Sequence, residues 1–181
     1  MSKAISMLRA EHQVMGKLLE LLGEQIDCFE NAEPTDYELM KEIVDYFLTV
    51  PDLYHHPKED LIFARMQRRG GSHLEGMHDL PSEHERGSER LHAFSRALIS
   101  VMLDAEFPRD RFVQLARGFL DNEARHMKGE EMEFFPAALE HLSDEDWADI
   151  DERVERFKDP IIHGDRSSRF EVIQSRMVSE G

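Results

Sequence analysis

One arrangement of residues occurs twice in this chain of 181 residues. HHPKEDLIF, starting at His55, and HMKGEEMEFF, starting at His126, both read histidine, three residues, glutamate, an acid, two residues, phenylalanine. This aligns His55, Glu59, Asp60 and Phe63 with His126, Glu130, Glu131 and Phe134. RAEHQVMGKLLELL and PSEHERGSERLHAF form a second pair, aligning Glu11, His12 and Leu19 with Glu83, His84 and Leu91. His12 and His84 are 72 residues apart and His55 and His126 are 71 apart, so two independent motifs share one period. Self-similarity of this kind marks a duplicated supersecondary unit. The chain reads as two helical hairpins, each with one Glu-His helix and one His-x-x-x-Glu helix.

Apolar periodicity supports this. Ile5, Leu8, His12, Met15, Leu19, Leu22, Ile26 and Phe29 recur at alternating spacings of three and four, one stripe of a packed helix. Pro34 ends that helix. A second helical region starts near Thr35, with Leu39, Ile43, Phe47 and Val50 on one face. Pro51 interrupts it, and Asp52 is expected to cap a fresh start running to about Arg69, with Pro57 in its first turn. RRGGSHLEGMHDLPSEHE is a loop by composition. A third helix is expected over about 82–103 and a fourth over about 109–140. Ser143 and Asp146 then form a capping box for a short helix carrying Trp147, Ile150, Val154 and Phe157. A weak terminal helix or tail follows. The expected fold is all-α, an up-down-up-down four-helix bundle over residues 1–142 with a helical extension over 143–181.

Spacing turns the repeat into chemistry. Residues i and i+4 share a helix face, roughly 5–6 Å apart at Cβ. His55 with Glu59, and His126 with Glu130, each aim an imidazole and a carboxylate at one region. A single such pair is usually a solvated ion pair. Two in register, with in-stripe His12 and matching His84, place four histidines and two glutamates between four helices. Burying those carboxylates without partners is costly, and bound cations remove the cost. Mixed imidazole and carboxylate ligation suits iron better than zinc or calcium.

His56 points about 100° from His55 on an α-helix, and is expected to support the site or face solvent. Asp60 and Glu131 are expected to face outward, and Glu123 either orients His126 or is solvated. His73 and His78 fall in the glycine-rich loop and are expected to be exposed. His92, His141 and His163 have no partner pattern.

Other chemistries are disfavoured. HERGS at His84 has Ser88 where a zincin would place its second histidine. A single cysteine, Cys28, rules out Cys-based zinc sites and an intrachain disulfide. A net charge of −16 repels phosphate backbones and anionic membranes. No apolar run approaches a membrane span or a secretion signal, so the expectation is a cytoplasmic protein binding neither nucleic acid nor membrane.

Glu11-His12, Glu83-His84, HHPKED and HMKGEE, with the phenylalanines that follow, together resemble the hemerythrin family, specifically its bacterial HHE cation-binding domain, over about residues 1–142. The resemblance implies a non-haem centre of two iron ions, oxo- or hydroxo-bridged. His12 and His55 would bind one ion, His84 and His126 the other, and Glu59 and Glu130 would bridge. Each ion would keep one open position. Oxygen-carrying members add a fifth histidine one turn from the third-helix ligand. The places for it here are Leu80 and Ser88, so the set is similar instead to the iron-donor and nitric-oxide-stress branch. The expected function is to bind, sense or handle O₂, NO or iron, its partner being a small diatomic ligand or an iron acceptor. The alternative is a di-iron enzyme: a peroxidase, an NO reductase or an iron-cluster repair activity. The oligomeric state is left open.

Overall fold

A computed structural model describes residues 2–70, 80–163 and 170–179. The described residues form eight α-helices in order: α1 Lys3–Glu30, α2 Tyr37–Phe47, α3 His56–Arg68, α4 Leu80–Met102, α5 Arg109–Gly129, α6 Phe135–His141, α7 Asp144–Val154 and α8 Glu171–Ser179. Two five-residue π-helical turns, Pro51–His55 and Glu130–Phe134, join α2 to α3 and α5 to α6. Four helical rods result: α1, α2–α3, α4 and α5–α6. α1 packs on α2 and α5, and α4 on the same two, which closes an up-down-up-down four-helix bundle. Among the described residues no helix is long and apolar enough to cross a membrane.

The duplication extends to the backbone. Two residues past α1, Ala32 lies in the left-handed region with φ 60°, and two past α4 Asp104 does the same with φ 52°. The Glu33 amide donates to the Cys28 carbonyl at 2.8 Å and the Ala105 amide to the Ser100 carbonyl at 3.0 Å. Both endings satisfy orphan helix carbonyls in the same way. Helices α2 and α5 then start at Tyr37 and Arg109, 72 residues apart like the two endings. The offset falls to 71 at His55 and His126, so the first half carries one extra residue between helix start and histidine. The π turn Pro51–His55 lies in that interval, and a π turn is how a helix absorbs one inserted residue. No fresh helix starts at Asp52, as the sequence suggested. The π turn keeps the rod continuous, and the Asp52 carboxylate goes to His56 rather than to a helix N-terminus.

The apolar core is split. Met15, Leu18, Leu22, Ile26, Leu39, Ile43, Phe94, Phe112 and Phe119 belong to one cluster. Ala4, Ile5, Leu8, Ile62, Phe63, Phe134, Phe135, Ile150 and Val154 belong to the other. On the first two rods the break between them falls at the repeated motifs: Leu8 and Met15 flank His12, and Val50 and Ile62 flank His55 and Glu59. A polar layer therefore crosses the bundle.

The extension packs on this frame. Ser143 and Asp146 form the expected capping box of α7, and α8 places Ile173 against α2, where Glu42 accepts from the Val172 and Ile173 amides. Asp146, only 2% exposed, also receives Arg65 and Arg69, each at 2.8 Å. Burial alone would raise its pKa, but Arg69, Arg65 and Ser143 outweigh it and hold the carboxyl well below the usual range. We predict that Asp146→Ala lowers stability by about 2 kcal/mol, a helix cap plus partly screened ion pairs, read as a drop in denaturation midpoint. A depressed folded-state pKa stabilises the fold fully above the free-aspartate value of 3.8 and loses that contribution as pH falls below it. The wild-type advantage over Asp146→Ala should thus be flat near neutrality and shrink only in acid.

Candidate metal centre

The polar layer draws on all four rods. His12 comes from α1, His55 from the end of the first π turn, Glu59 from α3, His84 from α4, His126 from α5 and Glu130 from the start of the second π turn. Glu59 turns Oε1 toward His55 Nε2 at 3.3 Å and Oε2 toward His84 Nε2 at 3.5 Å. Glu130 turns Oε2 toward His12 Nε2 at 3.2 Å, and Oε1 toward His126 Nε2 at 3.1 Å and His84 Nε2 at 3.9 Å. Each carboxylate therefore presents one oxygen to a histidine of the first hairpin, His55 or His12, and the other to the second hairpin's His84 or His126. Repeat symmetry gives this directly, since each hairpin supplies one carboxylate and each carboxylate faces both hairpins.

Glu59 is fully buried and Glu130 is 2% exposed, yet none of their four carboxylate oxygens has a hydrogen-bond partner. His84 and His126 Nε2 are buried and unpartnered as well. Unsatisfied buried polar atoms at this density are rare in native proteins. Among the described residues, protonated histidines supply compensation without a metal. Burial, the largest influence, pulls the His55 pKa down, but Glu59, Glu11 and Glu130 hold it up to about 10. His84 shifts upward: Glu130 and Glu59 overcome its burial. Burial would raise the Glu130 carboxyl, yet His12, His84 and His126 hold it well below its ordinary value. Carboxylate oxygens and imidazole nitrogens, all converging and lacking other partners, are the donor set of a site for divalent cations. The ligating atoms of His12, His55, Glu59 and Glu130 lie within 4.8 Å of one another, and so do those of His56, His84 and His126.

A second ring of carboxylates sets the imidazoles. Glu11 Oε2 lies 2.9 Å from His55 Nδ1, Glu83 Oε2 lies 3.3 Å from His126 Nδ1, and Glu131 Oε1 lies 3.0 Å from His12 Nδ1. A carboxylate only accepts, so each Nδ1 carries its proton and each Nε2 is directed at the centre. Phe135 stacks on the His12 ring at 5.4 Å. The glutamate of each Glu-His pair thus serves the histidine of the other helix in its own hairpin. Sequence reasoning found the pair but not its role, because a neighbour in sequence faces a different way on a single helix. Glu123, considered for His126, does not orient it. Glu123 lies against Gly87, its pKa raised mainly by burial. Glu131 does not face outward as expected, being held between Arg9 and His12. Asp60 is exposed, as expected.

Behind Glu11 sits an unexpected cation. Lys58 is fully buried, its Nζ 2.7 Å from Glu11 Oε1 and also donating to the Tyr54 carbonyl. His56 is turned inward rather than to solvent. His73 and His78 lie outside the described residues. His92, His141 and His163 place Nδ1 against carbonyls of their own helices or turns, those of Ser88, Ala137 and Asp159. A cleft of about 40 Å³ reaches the layer from the α4–α5 side, lined in part by His56, His84, Gly87, Ser88 and His126. It accommodates water or a diatomic molecule, whereas pockets for larger organic ligands run to roughly 300–1,000 Å³.

A four-helix bundle whose halves repeat, with a buried layer of imidazoles and carboxylates between two apolar clusters, defines a cation-binding helical protein. The family model for the hemerythrin HHE cation binding domain matches residues 3–138, and the chain belongs to that family. No curated protein matches it.

Proposed function

We propose that the polar layer holds two iron ions and that the protein binds, senses or handles O₂, NO or iron there. His12 and His55 would hold one ion and His84 and His126 the other, with Glu59 and Glu130 supplying carboxylate oxygens to both. The observation carrying this reading is that each buried, otherwise unpartnered carboxylate offers one oxygen to each histidine pair. A site for one ion would need neither the second oxygen nor the second pair. Bound iron would supply redox chemistry and affinity for diatomic ligands. The protein fixes the imidazole tautomers through Glu11, Glu83 and Glu131, holds the carboxylates buried between two apolar clusters, and admits small molecules through the cleft. A binding role fits these features better than turnover of a bulky substrate.

Anaerobic titration with Fe(II) tests the reading. Two equivalents per chain are expected, with one lost in His55→Ala and one in His126→Ala. A wild-type stoichiometry well below two, or full uptake in both variants, would overturn it. Loaded protein that consumes peroxide or NO catalytically, with activity absent in the same variants, would instead favour the enzyme reading.

A further inference from the structure

The two halves of the site differ at one residue. His55 and His126 share a repeat position, but the residue that follows is His56 in the first half and Met127 in the second. Met127 packs against the larger apolar cluster. His56 instead lies face to face with His84, ring centroids 3.9 Å apart at 15°. Its ligating nitrogen lies within 4.8 Å of those of both His84 and His126. The π turn accounts for this placement. It ends at His55, and its wider i→i+5 turn lets successive side chains diverge less than on an α-helix. His55 and His56 can then serve opposite sides of one layer.

His56 is also held as the other histidines are held. Asp52 Oδ1 lies 3.0 Å from its Nδ1, as Glu11, Glu83 and Glu131 lie against the Nδ1 atoms of His55, His126 and His12. Carboxylate acceptance places the proton on Nδ1 and leaves the Nε2 lone pair free for a metal. An ordinary surface pair of this spacing would leave the imidazole in solvent, whereas the His56 side chain is 22% exposed and covered by a ring of the site. Beside His84 on its own helix, Ser88 accepts from His92 Nδ1 through its carbonyl at 2.8 Å.

We infer, resting on the two-iron reading above, that His56 is a fifth imidazole ligand, the third at the ion held by His84 and His126. It reaches that ion from α3 rather than from α4. The two ions are then unequal. With three imidazoles and two carboxylate oxygens, the His84–His126 ion has no position left for an exogenous ligand beyond the bridge. The His12–His55 ion keeps its open position.

The test uses the full chain loaded with Fe(II), oxidised to the diferric form and titrated with azide, with Mössbauer spectra recorded alongside. Wild-type protein is expected to bind one azide per iron pair and to show two distinct iron environments. His56→Ala is expected either to take up a second azide or to lose the second iron while retaining the first. Asp52 is a surface residue whose removal does not threaten the fold, its side chain being 65% exposed. Asp52→Ala is expected to weaken the second iron-binding step roughly 10- to 100-fold, the usual effect of losing a group that orients a ligand. Two irons bound with unchanged stepwise affinities, unchanged spectra and an unchanged azide count in both variants would overturn the assignment of His56 alone. Fewer than two irons in wild type would overturn the two-iron reading, and His56 with it.

Discussion

Glu130→Ala is expected to reduce iron content from two ions per chain to less than one, a larger loss than removal of any one histidine. Glu130 Oε2 faces His12 and Oε1 faces His126 and His84, so the substitution removes a donor and half of a compensating charge from each ion at once. One carboxylate, with four neutral imidazoles, would then have to offset the charge of two divalent cations in a buried layer, which burial makes very unfavourable. Stability provides an independent readout. A ligand that binds only the folded state adds about 2.7 kcal/mol per site at a hundredfold excess over Kd. In a chain of this size each kcal/mol is worth roughly 2–4 °C. Iron should therefore raise the wild-type Tm by roughly 10–20 °C and leave that of Glu130→Ala where it was. Without iron the difference narrows. Glu130 then pairs with His12 and His126 at 3.2 and 3.1 Å, and its removal should lower the metal-free Tm by less than iron raises that of the wild type. A metal-free variant that unfolds outright would show that Glu130 holds the bundle rather than the metal.

What was legible in the sequence, and what was not, follows from the geometry of single helices. Leu8, His12, Met15, Leu19 and Leu22 share one stripe, and a stripe can be read without knowing what it packs against. His55 with Glu59 and His126 with Glu130 were readable for the same reason, since i and i+4 share a face on any helix. The structure brings those four residues together with His12 and His84. Contacts between helices were not readable. Glu11 serves His55 and Glu83 serves His126, separations of 44 and 43 residues that no local periodicity encodes. Glu131 reaches His12 across 119 residues. The inward side of His56, stacked on His84, was not readable either, because α-helical spacing turns it away from His55 whereas a π turn precedes it here. The clue lay in the repeat itself: its offset drops from 72 to 71 across the segment holding the π turn. Lys58 was passed over because lysine on a charged helix ordinarily keeps its ammonium in water.

That buried lysine should be the most costly side chain outside the ligand set to remove. Lys58 Nζ and Glu11 Oε1 form an ion pair at 2.7 Å, with side chains 0% and 1% exposed. The other Glu11 oxygen holds His55 Nδ1. Lys58→Met fills most of the same volume but leaves the Glu11 carboxylate with half its compensation in a place water does not reach. Breaking one partner out of a buried pair costs about 3–5 kcal/mol, because the remaining charge keeps its desolvation penalty. For a chain of this size the Tm should fall by roughly 10 °C. The cost lies in the stranded charge and not in lost packing, so a second change should relieve it. Lys58→Met combined with Glu11→Gln should recover most of the lost stability, since the neutral amide needs no cation and can still accept from His55. If the double variant is instead as unstable as the sum of the two single variants, the lysine acts through packing, and the pair is not the coupled unit its geometry describes. Circular dichroism melts of the four proteins, metal-free, close the cycle.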